Sequence, residues 1–307
     1  MMPPPVAVII PTYAPSSLLE RTLESLTACR LPRSYERLIV VENGTSSARA
    51  RSLVEQMPEA YRAQYERIPQ GNKSKALNAA LEDVEDHSLT VFFDDDIRMH
   101  PNVLSAYAEA GAEHGPGAFF GGPVRVDRER EPADWLVPFL PSSAQGYDLI
   151  ETRMGNRYLG FNWAAFAGDV KRLGGFNTRL GPGSASGANG DEIEMQGRMT
   201  KAGMEGIDVK DALVWHYVPA ECMSFGWLLE RQRQGGMRTG VKSEKPPERF
   251  ALDFAKNTLI SLGVAAKGMI HLDMEKVLFT LFNSAQRLGV AEGYLWSRRR
   301  ERPDFPD

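Results

Sequence analysis

The sequence predicts an α/β fold, in which a mostly parallel sheet is flanked by helices and followed by a helical C-terminal extension. Two observations support this prediction. Over residues 1–110, apolar runs with the length of buried strands alternate with segments of helical periodicity, as in parallel βαβ units. From about Phe225 to the end, apolar residues recur at helical spacing with charged residues between them.

The N-terminal part contains four predicted strands and the helices that connect them. Apolar runs at 6–10, 38–41 and 89–93 indicate buried strands, and 65–68 is a weaker strand candidate. The predicted helices begin after Ser16 or Ser17, cover 46–57 and 75–81, and include one that starts near Pro101.

The middle of the chain is less regular. Residues 118–126 and 158–167 have the composition of strands, and the segment between them is rich in proline and charge. A glycine- and serine-rich stretch at 180–190 is typical of a binding loop. A helix over 191–199 and short strands at 207–209 and 212–218 complete this part.

Composition restricts the class of protein and its surroundings. The 307 residues carry a formal net charge of -4, which gives no reason to expect a nucleic-acid partner. Cys29 and Cys222 lie far apart without metal-ligand spacing, so a disulfide framework is not expected and the cytoplasm is the expected compartment. No signal peptide and no membrane-spanning segment are predicted. Peripheral contact with the inner face of a membrane through the C-terminal helices stays open, as does a homodimer.

The predicted strand at 89–93 ends in three consecutive acids, Asp94, Asp95 and Asp96. Neighbouring carboxylates repel one another unless solvent or a cation neutralises them. In open α/β sheets, ligands bind beyond the carboxyl ends of the strands, which is where these acids are expected. Oxygen ligands without cysteine favour Mg²⁺ or Mn²⁺, so the sequence predicts a metal-assisted phosphate site. If the chain stays extended, Asp94 and Asp96 point to one side and Asp95 to the other.

Six ordered segments together resemble a family-2 inverting glycosyltransferase, which has the GT-A fold. The resemblance covers roughly residues 6–240. It implies a catalytic domain at 1–240, with a nucleotide-sugar half at 1–115 and an acceptor half at 116–240, followed by a helical extension at 241–307. The segments are Pro11-Thr12-Tyr13, Glu42-Asn43-Gly44, residues 71–81, Asp94-Asp95-Asp96, residues 190–198 and His216.

The resemblance implies a set of donor-binding residues. The segment after the first strand would hold the nucleoside, and Glu42 would contact the base. The family more often has aspartate at the position of Glu42, so the nucleotide stays open, with a UDP-sugar expected. Positive charge from two lysines and from a later basic segment would balance the diphosphate. The complete implied set is Pro11, Thr12, Tyr13, Glu42, Asn43, Lys73, Lys75, Asn78, Asp94, Asp95, Arg231 and Arg233.

The resemblance also assigns the metal and the catalytic base. Asp94 and Asp96 would bind Mn²⁺ or Mg²⁺ together with the donor phosphates, and His216 would complete the metal shell or contact a phosphate. The family places a general base near residue 192, and Glu192 is the first candidate and Asp191 the second. Asn162, Trp163 and Trp135 are expected to line the sugar or acceptor site.

These features predict a metal-dependent hexosyltransferase that serves polysaccharide or glycoconjugate synthesis. Its expected partners are a nucleotide-sugar donor and a glycan, lipid-linked or small-molecule acceptor. Two alternatives stay open. One is a nucleotidyltransferase similar to the sugar-nucleotide pyrophosphorylases, although the segment after the first strand lacks the glycine-rich basic loop of that class. The other is a non-catalytic nucleotide- or carbohydrate-binding module.

Overall fold

The computed structural model describes residues 3–13, 17–45, 48–148, 158–186, 188–270 and 274–299. The chain forms two compact units. The first unit comprises Met1–Glu129, Ser142–Ser184 and Asp191–Val218, and the second comprises Arg130–Pro141, Ala185–Gly190 and Pro219–Asp307.

The first unit is built on a seven-stranded sheet, which confirms the predicted fold class. Its strand order is β3-β2-β1-β4-β8-β6-β9, and every pair is parallel except those that β8 makes with β4 and β6. Three further strands form a small sheet of order β5-β10-β7. The strands are β1 Val6–Thr12, β2 Tyr35–Asn43, β3 Ala63–Ile68, β4 Leu89–Phe93, β5 Ile97–Met99, β6 Ala118–Gly121, β7 Val124–Arg128, β8 Asn162–Phe166, β9 Glu205–Asp208 and β10 Val214–Val218.

Helices connect these strands and make up most of the second unit. In the described residues, the α-helices of the first unit are α1 Ser17–Thr27, α2 Ala48–Glu55, α3 Lys73–Glu82, α4 Val103–His114, α5 Ser142–Gln145, α6 Ala167–Arg172 and α7 Asp191–Lys201. Those of the second unit are α8 Phe225–Val241, α9 Pro247–Ile270 and α10 Met274–Arg299.

The central strands are buried on both faces, as their continuous apolar runs predict. Alternate residues of one strand enter different core clusters: Val8 and Val91 lie in one, and Ile9 and Phe92 in the other. The second cluster also contains Trp163, which stacks on Phe92 with ring centroids 4.6 Å apart. Burial on both faces leaves only the strand ends free to carry polar side chains.

The predicted single strand at 118–126 is wrong, because the structure breaks it into β6 and β7 in different sheets. A Cβ on Gly122 would lie 1.9 Å from the carbonyl oxygen of Ala212, so only glycine fits at the break. Pro123 follows and has no N–H to continue a ladder. Strand β5 was not predicted, because three residues with exposed Arg98 at the centre give too short a pattern.

In the second unit, α8 packs closely along α10 through glycines. A Cβ on Gly236 would lie 1.9 Å from the carbonyl oxygen of Gln286, and one on Gly289 would lie 1.8 Å from that of Arg233. This packing groups residues 219–240 with the C-terminal helices, whereas the sequence places the start of the extension at 241. Among the helices that the structure describes, none combines the length and apolar character needed to span a bilayer.

Candidate active site

The three acids that follow β4 each take a different partner. Asp94 forms an ion pair with Lys73, with 2.5 Å between Oδ1 and Nζ. Asp95 accepts a hydrogen bond of 2.5 Å from the hydroxyl of Thr12, at the end of the neighbouring strand β1. Asp95 and Asp96 lie in a turn, so the prediction that side chains alternate along an extended chain here is wrong. Asp95 nevertheless has a partner of its own, Thr12.

Burial raises the pKa of two of these carboxyls. For Asp95, desolvation raises the pKa to about 7, and the hydroxyl of Thr12 opposes the rise only in part. For Asp94, desolvation also raises the pKa, and Asp96 adds to the rise while Lys73 opposes it. The cluster therefore holds negative charge at a cost in free energy and favours the approach of a cation.

Asp96 has the property expected of a metal ligand. Its Oδ1 is buried without a hydrogen-bond partner, and its Oδ2 lies 3.4 Å from Nε2 of His216. The Nδ1 atom of His216 lies 2.7 Å from the carbonyl oxygen of Ser143, and its ring stacks on Phe161 at 4.4 Å. Burial lowers the pKa of His216, but Asp96 and Ser143 raise it by more. In the described residues, no three His, Cys, Asp or Glu side chains are arranged to hold a metal ion by themselves.

Lys73 is the first residue of α3. Two sets of contacts fix the position at which this helix begins. Asn72 caps the helix by accepting a 2.9 Å hydrogen bond from the backbone N–H of Lys75. The N–H of Lys73 donates to the carbonyl oxygen of Pro182, and Ser74 Oγ donates to that of Leu180. The loop that precedes α7 is thereby held against the start of α3.

A second pair of acids, Asp191 and Glu192, begins α7, directly after the loop that is held against the start of α3. Asp191 is 2% exposed and packs against Gly181, where a Cβ would lie 2.9 Å from the carboxyl carbon. Burial raises the pKa of Glu192 to about 7, and Asp191 adds to the rise while Lys73 opposes it. Burial lowers the pKa of Lys73, but Asp94, Asp191 and Glu192 together raise it. Lys73 is thus paired with Asp94 after β4, and its positive charge also acts on Glu192 at the start of α7.

The position of α7 depends on Arg198, for which no contact was predicted. Arg198 binds both carboxylate oxygens of Glu194 at 2.9 to 3.1 Å and donates to the carbonyl oxygens of Leu173 and Gly175. The signal for this contact was present, because an acid four residues before an arginine on a helix predicts a pair. The tie to the Leu173–Gly175 turn depends on tertiary structure and has no local pattern.

The predicted nucleoside segment forms a connected edge at the ends of β1 and β2. The side-chain amide of Asn43 donates to the carbonyl oxygen of Thr12 at 2.8 Å. Glu42 is fully buried and accepts a 2.5 Å hydrogen bond from the phenol of Tyr65. Pro11 is buried within β1.

Tyr13 lies at the outer end of this edge and is 62% exposed. Its ring covers two glycines, since a Cβ on Gly44 or Gly71 would come within 2.7 or 3.0 Å of the ring. An exposed aromatic ring supported by glycine backbone offers a flat surface for another ring. Lys75, also exposed, contacts Gln70.

Three of the predicted ligand residues make contacts within the protein. Asn78 uses both atoms of its amide group on the backbone of Phe176. Asn162 is fully buried and bonds to Tyr107 and to two backbone carbonyls. Trp163 is 1% exposed in the core. Asn162 and Trp163 do not reach the surface, and the amide group of Asn78 is engaged by the backbone of Phe176.

The remaining predicted residues, Arg231, Arg233 and Trp135, belong to the second unit. Arg233 forms ion pairs with Glu230 and Glu292. Arg231 lies over the ring of Trp227 at 5.4 Å. Trp135 is 51% exposed.

Solved structures similar to this chain are glycosyltransferases. A mannosyltransferase from Pyrobaculum calidifontis, in complex with GDP-Man and Mn²⁺, matches with a TM-score of 0.60 and 19% identity, over 97% of this chain and 88% of that one. TarS of S. aureus (residues 1–349, with UDP-GlcNAc) has a TM-score of 0.53 and 13% identity, over 95% and 90%. GalNAc-T7, with UDP, GalNAc and Mn²⁺, has a TM-score of 0.54 and 12% identity, over 80% and 52%. No curated protein matches the sequence.

These likenesses establish the GT-A fold. The family description "Glycosyltransferase like family 2" matches residues 3–239. The chain belongs to that family.

Proposed function

We propose that this protein transfers a sugar from a nucleoside-diphosphate donor to an acceptor hydroxyl, with inversion at the anomeric carbon. The observation that carries the proposal is the placement of Lys73: its ammonium pairs with Asp94 at 2.5 Å, and the start of its helix binds the loop that leads to Asp191 and Glu192. An inverting transfer needs two kinds of acidic group in one site. One kind would hold the cation that neutralises the leaving diphosphate. The other would remove a proton from the acceptor hydroxyl.

On the donor side, the nucleoside would lie along the edge formed by Thr12, Tyr13 and Asn43, with the base against the Tyr13 ring. Three of the similar structures contain GDP-Man, UDP-GlcNAc or UDP, so sugar-nucleotide donors of either base are compatible with the fold. A UDP-sugar is the prediction for this chain. Melting curves in the presence of UDP, GDP, dTDP and CDP, each with Mn²⁺ or EDTA, would identify the nucleotide, because a bound ligand raises stability by mass action.

The residues fit a divalent cation beside Asp94 and Asp96. The unpartnered, buried Oδ1 of Asp96 is an acceptor that a cation would satisfy. Mg²⁺ and related ions are commonly held by one or two carboxylates and by substrate phosphates, so a full set of protein ligands is not required. Two of the similar structures contain Mn²⁺. When bound, the ion would neutralise the charge that develops on the leaving diphosphate.

On the acceptor side, Glu192 is the proposed general base. Its raised pKa of about 7 suits a group that must take up a proton near neutral pH. Glu192 is also less buried than Asp191, which is enclosed against Gly181. Asp191 then has the role of holding the pKa of Glu192 up, while Lys73 stabilises both carboxylates.

The proposal is tested with Glu192→Gln and the matched control Asp191→Asn. For Glu192→Gln we expect a loss of about 10²- to 10⁴-fold in turnover with nearly unchanged donor affinity, measured by calorimetric titration. Asp191→Asn should keep more turnover and move the pH–rate profile to lower pH, because a neighbouring negative charge is lost. An active Glu192→Gln beside an inactive Asp191→Asn would reassign the base. Donor binding without transfer or hydrolysis in the wild-type protein would leave only a binding module.

A further inference from the structure

The small sheet presents a face of aromatic and charged side chains that the proposed mechanism does not use. Side chains alternate along β10, so Trp215 and Tyr217 lie on the face opposite to His216. The strand register places Arg98 of β5 beside Trp215, and Asp127 of β7 beside Tyr217. We call the face that carries these four residues the outer face of the small sheet.

A cavity of about 300 Å³ lies between this outer face and helix α1, and all the residues that line it belong to the first unit. Its volume is at the lower end of the range of about 300 to 1,000 Å³ that is usual for ligand pockets. The cavity therefore suits a small ligand.

Side-chain hydrogen bonds hold α1 against β5 and so fix the walls of the cavity. Thr22 Oγ1 donates to the carbonyl oxygen of Ile97 at 2.9 Å and accepts from the N–H of the same residue at 3.2 Å. One turn further along α1, Ser25 Oγ accepts from the N–H of Met99 at 3.2 Å. A cavity whose walls are fixed in advance binds a ligand at a lower cost in conformational entropy.

Two arginines of the cavity are positioned by aromatic rings. Arg98 lies over the ring of Trp215 at 4.1 Å, and its guanidinium donates to the two carboxylate oxygens of Asp127 at 3.2 and 3.3 Å. Arg21 of α1 lies over the ring of Tyr217 at 5.1 Å. Stacking on a ring leaves the N–H groups at the edge of a guanidinium free to donate hydrogen bonds.

The charges that line the cavity favour a neutral ligand. Two basic and three acidic side chains line it, namely Arg21, Arg98, Glu24, Asp96 and Asp127. An anion would meet the three carboxylates, and a cation would meet the two guanidinium groups. A ligand rich in hydroxyls can use both kinds of group, because a hydroxyl donates to a carboxylate and accepts from a guanidinium.

The rest of the lining matches the apolar side of a sugar. The two rings and Leu18 supply apolar surface beside the charged groups, and the C–H face of a sugar ring packs on such surface. Asp96 lines the cavity and also carries the unpartnered oxygen of the proposed cation site. We therefore propose that the cavity binds a neutral saccharide unit of the acceptor, beside the transfer site. This inference rests on the proposed function.

A ligand-observed NMR titration of the full chain, without nucleotide or metal, tests the cavity apart from transfer. The probes are the neutral trisaccharides maltotriose, chitotriose and mannotriose, with trigalacturonate as an anionic comparison. At least one neutral trisaccharide should bind with a Kd of about 10 mM or below, and trigalacturonate should bind more weakly. Arg21→Gln and Trp215→Leu should each weaken the binding about tenfold, because they remove a charged donor and a ring.

The matched control is Arg125→Gln. Arg125 lies opposite Trp215 in the small sheet, pairs with Asp148 and is outside the lining of the cavity. This variant should keep binding within about twofold, and Arg21→Gln should melt near the wild-type temperature because Arg21 is exposed. Equal loss in Arg125→Gln would overturn the assignment to the cavity. Wild-type protein that binds no neutral trisaccharide at about 10 mM, or binds trigalacturonate at least as tightly, would overturn the proposal.

Turnover with the bound trisaccharide as acceptor separates this inference from the proposed function. Arg21→Gln and Trp215→Leu should raise the acceptor KM about tenfold and keep kcat within about twofold, since the contact is made before and during the reaction. Binding without any sugar transfer would keep the cavity as a saccharide site and refute the proposed transfer. Transfer with an unchanged acceptor KM in both variants would refute the role of the cavity and leave the proposed function intact.

Discussion

Replacing Glu192 by glutamine is expected to stabilise the folded protein above pH 7, although it removes the proposed base. In the folded chain, burial and Asp191 raise the pKa of Glu192 from 4.5 to about 7. At about 1.36 kcal/mol per pKa unit, the charged form of Glu192 therefore costs up to about 3 kcal/mol of folding free energy. Glutamine keeps the shape of the side chain and carries no charge, so the variant avoids this cost.

The sign of the pH dependence follows from proton linkage. Between pH 4.5 and about 7 the folded state binds more protons at Glu192 than the unfolded state does. The contribution of Glu192 to stability therefore falls as pH rises through this window and is constant above it. The gain of Glu192→Gln over wild type should be close to zero below about pH 4.5 and reach its full value near pH 8.

Urea unfolding of both proteins at several pH values measures this difference directly. Glu194→Gln on the same helix is the matched control. Its carboxylate is paired with Arg198, so its removal should destabilise the protein at pH 8 instead of stabilising it. A difference between Glu192→Gln and wild type that does not change with pH, or a variant less stable than wild type at pH 8, would refute the burial argument.

Two further predictions concern the metal and the loop before α7. Asp96→Asn should lower Mn²⁺-dependent turnover by at least about a hundredfold, since a neutral amide is a poor ligand for a hard cation; unchanged metal titration curves would contradict this. Gly183→Ala should destabilise the protein by more than about 2 kcal/mol in urea unfolding, because φ is +75° and the new Cβ would lie 2.2 Å from the carbonyl oxygen of Gly71. Gly203→Ala, at φ +84° with no atom within 4 Å, isolates the backbone cost of about 1 kcal/mol.

The main sheet was predictable because its strands are buried on both faces. Continuous apolar runs such as those of β1 and β4 need no knowledge of their neighbours to be recognised. The small sheet was not predictable in the same way. Strand β5 has three residues, and β7 is separated from β6 only by Gly122 and Pro123. What decides the break is a carbonyl oxygen of Ala212, about ninety residues along the chain.

The site residues also divide into those with a local sequence pattern and those whose position depends on distant contacts. Acidic residues at the ends of strands and helices could be recognised in the sequence as candidate site residues. A cluster of charges directly after a buried apolar segment has few structural explanations. For amides and aromatic residues, the sequence does not distinguish site residues from core residues. Asn162 and Trp163 are residue types common in sugar-binding sites, but hydrogen bonds and ring stacking hold them in the core. Whether such a side chain faces a ligand or the interior depends on contacts between distant segments, and these leave no local pattern.

Lys73 shows why the two halves of the proposed site are best considered together. Its ammonium is 2.5 Å from Asp94, and its pKa is raised by Asp94, Asp191 and Glu192 against the effect of burial. A cation shared by several buried acids stabilises each of them, so a change in charge on the donor side alters the proton affinity of the proposed base. An anionic diphosphate near Lys73 would draw on the same positive charge and make Glu192 more basic, and a cation at Asp94 and Asp96 would oppose that effect. The proposed site thus couples occupation by the donor to the readiness of Glu192 to take the acceptor proton.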